Sequence, residues 1–166
     1  MLQRRLFLVP VAALALGACG FQLRGAPELA FSSLFIVVAD NSALGTELKR
    51  NLGSLGTLRV LGAPAPQTDA QAVLDILSEQ REKTVVGVNA TGQVREFQLR
   101  VRIRFRLRTP QGREIIPDTE LLQQRDISFN ESAALAKDAE EILMYRDMQS
   151  DIVQQLLRRL AAVRTL

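Results

Sequence analysis

Cys19 is the only cysteine in a chain of 166 residues, and it closes the run Leu16-Gly17-Ala18-Cys19 behind an apolar segment with a positive head. Arg4 and Arg5 form the head, Leu6 to Leu16 the apolar stretch, and small residues precede the thiol, which is the anatomy of an export signal. The stretch is shorter than the about 20 apolar residues a membrane span requires. Leu-Gly-Ala-Cys fits the lipobox of bacterial lipoproteins, in which the thiol takes a diacylglycerol and becomes the first residue of the mature chain. A buried structural thiol is the other common fate of a free cysteine, but it leaves the preceding pattern unexplained. Two or more acyl chains, at about 0.8 kcal/mol per buried methylene, hold a protein on a bilayer where one does not. Residues 1–18 are therefore expected to be removed, and Cys19 is expected to carry a lipid anchor.

The second chemically loaded segment is Leu99-Arg100-Val101-Arg102-Ile103-Arg104-Phe105-Arg106-Leu107-Arg108, a strict alternation of apolar residue and arginine. In a β-strand all five guanidiniums share one face. Neighbours there stand about 7 Å apart and repel by about 0.6 kcal/mol even in bulk water, so something anionic should lie over them. One source is internal: Glu79 and Glu82 on the preceding strand, and Glu120 and Asp126 on the following one, as cross-strand partners. The other is an external polyanion or an acidic partner surface, since the guanidinium fork matches phosphate and carboxylate. Both can hold at once. Nucleic acid is not expected, because an exported, tethered protein does not meet it, and one tyrosine with no tryptophan supplies few stacking platforms.

Composition narrows the chemistry further. The chain has no histidine, and its one thiol is committed to the anchor. Most zinc and iron ligand sets, and every Ser-His or Cys-His nucleophile pair, are therefore missing. No metal or cofactor is called for, and an enzyme is not expected. The 21 basic residues against 18 acidic overstate the working charge, because Arg4 and Arg5 leave with the signal; 19 remain against 18. No cysteine is left for a disulfide, so the core must hold without one.

The elements that must position these groups follow from periodicity. Phe31 to Val38 is apolar and ends at Asp40-Asn41-Ser42, which predicts a first strand near 34–39 with a helix capped by Asn41 or Ser42 behind it. Leu44, Leu48, Leu52 and Leu55 form one helix face, and Gly53 and Gly56 offer an end to it. Leu58 to Leu61 is a short strand or extended segment, followed by a loop in which Pro64 and Pro66 forbid a ladder. Three long strands come next, Val73 to Asn89, Val94 to Arg108 and Arg113 to Phe129. They turn at Asn89-Ala90-Thr91-Gly92 and Thr109-Pro110-Gln111-Gly112, with Pro117 marking a bulge in the third. A final helix carries the stripe Leu135, Ala139, Ile142, Tyr145, Met148, Ile152, Leu156, Leu160 and Val163, with Asp138, Glu141, Asp147, Asp151 and Arg158 facing away. Helix stripes and one apolar sheet face must cover each other, giving an α+β two-layer sandwich with two helices packed on one face of a small, mainly antiparallel sheet. The domain plan is 1–18 signal, 19–33 lipidated tether and 34–166 a single domain.

At Cys19-Gly20-Phe21-Gln22-Leu23-Arg24-Gly25 the chain resembles the start of the mature LptE family, the lipopolysaccharide-assembly lipoproteins of the outer membrane. The likeness continues at Gly92-Gln93-Val94-Arg95-Glu96-Phe97-Gln98-Leu99, at Ala134-Leu135-Ala136-Lys137-Asp138, and along Glu140 to Met148, which is similar to the family's C-terminal helix. The resemblance implies a role rather than a reaction: plugging the lumen of the LptD β-barrel, assisting its folding, and passing lipopolysaccharide to the outer leaflet. It implies two helices on a small mixed sheet. It also carries over Lys137 as a lipopolysaccharide-binding residue. The family's second basic position, in the hairpin turn, is occupied by Ala90, and Arg95 is near enough in sequence to take its place. Arg100, Arg102 and Arg104 are further candidates for lipopolysaccharide contact, since that polyanion is the abundant phosphorylated ligand at such a membrane. Gly20, rather than aspartate after the cysteine, implies delivery to the outer membrane.

Two other functions compete. A freestanding periplasmic lipid or lipoprotein carrier would need an enclosed apolar pocket and no barrel. An enzyme working with carboxylates, such as a sugar hydrolase, would need two paired acids, and no such pair stands out.

Overall fold

The computed structural model describes residues 29–166; the signal, Cys19 and the first part of the tether lie outside the described residues. Five strands form one sheet in the order β2-β1-β3-β4-β5. These are β1 (Ser33–Val37), β2 (Arg59–Leu61), β3 (Ala72–Val88), β4 (Val94–Arg108) and β5 (Glu114–Ser128). β1 pairs parallel with both β2 and β3, while β3, β4 and β5 make an antiparallel meander. The sheet is therefore mixed and mainly antiparallel, as expected. Gly92 and Gly112 take φ of 80° and 97° at the two hairpin turns, a region that costs glycine nothing. The irregularity expected at Pro117 is present, with the β4–β5 register shifting between the pairs Phe105–Thr119 and Leu107–Ile116.

Both helices, α1 (Ala43–Gly53) and α2 (Ala134–Ala161), lie on one face of this sheet. Their shared core joins Leu44, Leu48 and Leu52 of α1 to Met148, Ile152, Leu156 and Leu160 of α2, over Leu99, Val101, Ile103, Phe105 and Leu107 of β4. The cap of α1 is Ser42, whose Oγ accepts from the Gly45 N–H at 2.9 Å. Phe31 is 4% exposed and belongs to the core, so the packed domain begins a few residues before 34. α1 and α2 are fixed to each other by Glu47, which accepts from Gln149 at 2.7 Å and from Ser150 at 2.6 Å.

The stripe expected along the last helix is covered only from Tyr145 onward. Leu135 is 87% and Ile142 65% exposed. Periodicity identifies a helix face, but it does not say how far the layer beneath it extends, and here the sheet's packed region ends before the helix does. Of the acids expected to face away, Asp138, Asp147 and Asp151 are exposed and Glu141 is half-buried at the rim. Glu141 binds Lys83 at 2.5 Å, and Asp147 and Asp151 bind Arg125 at 3.7 and 2.8 Å. These pairs link the rim of the helix to the sheet.

Candidate functional site

The arginine ladder stands on the sheet face opposite the helices, because its apolar partners on β4 are each 1% exposed or less in the core. Asp75, opposite Arg106 in register, accepts from Arg106 Nε at 2.7 Å and from Arg108 Nε at 2.8 Å. Arg108 also donates to Gln67 at 2.9 Å. Burial pushes the Asp75 carboxyl up, but the hydrogen bonds and charges of Arg108 and Arg106 outweigh it and hold the group below its usual range; the same contacts raise the Arg106 guanidinium. Arg104 is paired with Asp118. Arg102 reaches Glu120 at 3.9 Å, and its Nε is buried without a hydrogen-bond partner among the described residues. Arg100 donates to Gln98 at 2.8 Å, and Gln98 in turn donates to Asp126 at 3.0 Å.

Of the four acids expected over the ladder, Glu120 is a direct partner and Asp126 an indirect one. Glu82 is opposite Arg100 in register. Glu79 is a correction: it is opposite Ile103, on the helix side, and accepts from Ser42 Oγ at 2.8 Å. The cause is a register shift between Ile76 and Ser78, which leaves Leu77 as the extra residue and reverses the inside-outside order of everything after it. Asp75 and Asp118 are partners that sequence reasoning misses. A lone acid in the run Ala72-Val73-Leu74-Asp75-Ile76-Leu77 is the available signal for the first. Asp118 has none, because the bulge that brings it across to Arg104 cannot be located to the residue from a proline alone.

Arg95 and Lys137 stand apart from the ladder. Arg95 lies at the hairpin end where α2 begins, at a register shift that skips it between the pairs Gly87–Glu96 and Val88–Val94. The Phe129 N–H donates to the Arg95 carbonyl at 2.7 Å. Lys137 Nζ donates to Ser128 Oγ at 3.1 Å and to Glu140 at 2.8 Å. Consecutive residues Ser128 and Phe129 thus tie both cations to one end of the molecule. A cleft of about 440 Å³ opens there, lined by Gly92, Gln93, Val94, Arg95, Phe129 and Glu131. Below it, Lys83 lies 4.3 Å from the Phe97 ring centre, and Phe97 meets Phe129 edge to face at 5.3 Å. The sequence-derived residues therefore fall into two groups, Arg95 with Lys137 at the hairpin end and Arg100, Arg102 and Arg104 on the open sheet face.

Comparison with known proteins adds an independent line. A family model described as "LptE: Lipopolysaccharide-assembly" matches residues 31–160. The chain is 27% identical over 166 residues to the LPS-assembly lipoprotein LptE of Pectobacterium atrosepticum, covering 98% of this chain and 88% of that one. It is 25% identical over 158 residues to the LptE of Yersinia enterocolitica, covering 95% and 75%. Among solved structures, the solution structure of lipoprotein B from Nitrosomonas europaea superposes with a TM-score of 0.74 at 33% identity, over 86% of this chain and 91% of that one. Rare lipoprotein B of Shewanella oneidensis has the same fold, with a TM-score of 0.65 at 24% identity over 78% and 94%.

Proposed function

The chain belongs to the LptE family of lipopolysaccharide-assembly proteins, and from that premise we propose how it acts. It is an outer-membrane lipoprotein, anchored through Cys19, that plugs and assists assembly of the LptD β-barrel and touches lipopolysaccharide during its passage to the outer leaflet. The role is one of binding and scaffolding rather than catalysis.

The observation that supports the lipopolysaccharide contact is that Arg95 and Lys137 lie at one end of the molecule, the first bonded through its backbone to Phe129 and the second through its ammonium to Ser128. Two cations there, beside an aromatic pair and a cleft, suit a phosphorylated headgroup carrying apolar chains. Lys137 keeps donor capacity beyond Ser128 and Glu140, since an ammonium has three N–H groups. Arg95, close in sequence to Ala90, serves in this reading in place of the basic residue that Ala90 replaces. Arg100, Arg102 and Arg104 form a second contact surface on the open sheet face. Arg104 is already bound to Asp118 and Arg102 lies 3.9 Å from Glu120, so Arg100, which has no direct carboxylate partner among the described residues, offers the most to an outside anion.

A freestanding lipid carrier is less well supported. The cleft beside Ser42, about 610 Å³, is lined by Asn41, Ser42, Glu79 and Arg81 together with apolar side chains, unlike the apolar enclosure such a carrier needs. Binding of purified lipopolysaccharide to the mature chain tests the headgroup reading. The double variant Arg95→Glu, Lys137→Glu should bind at least tenfold more weakly, because it removes two charge-assisted hydrogen bonds to the headgroup. Unchanged affinity in that variant would refute the site.

A further inference from the structure

The described chain begins at Leu29, beside β1, at the end opposite Arg95 and Lys137. β1 and β3 start at that end, the β4–β5 turn lies there, and both helices run down to it. Six exposed arginines gather at this end: Arg50, Arg59, Arg113, Arg158, Arg159 and Arg164. None of them makes a salt bridge among the described residues, whereas every ladder arginine but Arg100 has one. Among the described residues the acidic side chains at this end are Asp69 and Glu114. At the opposite end the cations Arg95, Lys137 and Lys83 stand among carboxylates, with Lys137 bound to Glu140 and Lys83 to Glu141. Arginines in a helix's last turn are common because they complement the dipole, but Arg59, Arg113 and Arg164 stand outside the helices.

We propose that this basic end is a docking surface for anionic phospholipid headgroups of the bilayer that holds the protein's own lipid anchor. The inference rests on Cys19 carrying that anchor. Leu29 lies ten residue steps after Cys19, a reach of at most about 36 Å. The 28-residue α2 alone is about 42 Å long. The short tether therefore keeps the Leu29 end near the bilayer, and that is the end where unneutralised guanidiniums collect. A cleft of about 360 Å³ between the start of β5 and the end of α2 adds matching chemistry, with Ile115, Ile116 and Val163 apolar and Arg159 and Arg164 beside them. Guanidinium forks pair with lipid phosphates, and the attraction is confined to charges within a Debye length of the surface. Docking this end stands the sandwich upright, with the hairpin end farthest from the headgroups.

The test uses the purified mature chain with Cys19→Ser, so that no acyl chain carries it to a membrane. Co-sedimentation is measured with vesicles of phosphatidylethanolamine and phosphatidylglycerol and with vesicles of phosphatidylcholine alone. The expected result is salt-sensitive binding to the anionic vesicles only. It should fall at least tenfold in the triple variant Arg113→Glu, Arg159→Glu, Arg164→Glu, since each basic residue near an anionic surface contributes about fivefold. It should persist in the variant Arg100→Glu, Arg102→Glu, Arg104→Glu. Replacement of the same three end residues by glutamine reads the effect if the reversals disturb folding. Equal binding to both vesicle types, no binding to either, or an equal loss in the ladder variant would overturn the proposal. So would an end variant that loses lipopolysaccharide but keeps vesicles, which assigns the arginines to cargo. Palmitate labelling of the wild-type chain in cells tests the anchor separately: an unlabelled Cys19 refutes the anchor, while the vesicle result alone decides whether the basic end recognises anionic lipid.

Discussion

Arg108 grips Asp75 with two nitrogens, Nε on one carboxylate oxygen at 2.8 Å and Nη2 on the other at 3.3 Å, while Arg106 takes the first oxygen at 2.7 Å. Asp75 is 5% exposed, so one sheltered carboxylate anchors two rungs of the ladder. Removing it leaves Arg108 with Gln67 but without its counterion. Asp75→Asn should lower stability by about 2 kcal/mol, the scale of a charge-assisted hydrogen bond lost in a sheltered place, measured as a shift in the urea midpoint.

The same residue sets an acid limit. Its carboxyl is held below the ordinary value of 3.8, so the native state keeps the proton off more strongly than the unfolded chain does. The stabilisation is fully present above the unfolded value and is lost as pH falls through the lowered one. Urea midpoints from pH 6 down to pH 2 should drop more in the wild type than in Asp75→Asn below about pH 4. Parallel curves would remove Asp75 from the acid response.

Much of the meander was legible because its signals are local. Alternation along Leu99 to Arg108, two turns with Gly92 and Gly112 in place, and Pro117 each act within a few residues. The parallel neighbours of β1 were not legible: Leu34 meets Val60 and Ala72, and pairing over such separations leaves no mark in either segment's pattern. Glu79 shows the effect of one unseen residue, since the bulge at Leu77 moves it from the ladder face to the cap of α1. The candidate site was legible as residue types, but not as two separate groups. What divides Arg95 from Arg100 is a register shift at the hairpin end combined with where α2 begins. The six arginines of the Leu29 end leave no signature in the sequence, because they come from separate segments of the chain.

The cap of α1 makes a compact test of local structure. Ser42 Oγ accepts from Gly45 N–H and donates to Glu79, so Ser42→Ala removes a cap and a tie to β3 together. The expected loss is about 1–2 kcal/mol, read by thermal or chemical unfolding. Ser42→Asp should restore less than a cap normally would, because it faces the Glu79 carboxylate.

The uneven burial of α2 can be checked with two alanines. Leu156 is fully buried and Leu135 is 87% exposed, although both lie on the stripe that periodicity predicts. Leu156→Ala should cost about 2–5 kcal/mol and Leu135→Ala within about 0.5 kcal/mol in the isolated mature protein. Similar losses for both would mean the helix packs along its whole length.

Acylation has its own signature. Cys19→Ala should abolish lipid labelling and release the mature chain from the outer-membrane fraction. Unchanged fractionation of that variant would contradict the lipobox reading.

The most direct measurement is made on the assembled membrane. With the C-terminus of the mature chain tagged, the outer membrane is dissolved in mild detergent, and whatever stays bound through size exclusion is identified by mass spectrometry. A large β-barrel in stoichiometric amount is the expected result. A monomer free of any barrel would contradict the plug, and would leave the carrier as the better description of this fold.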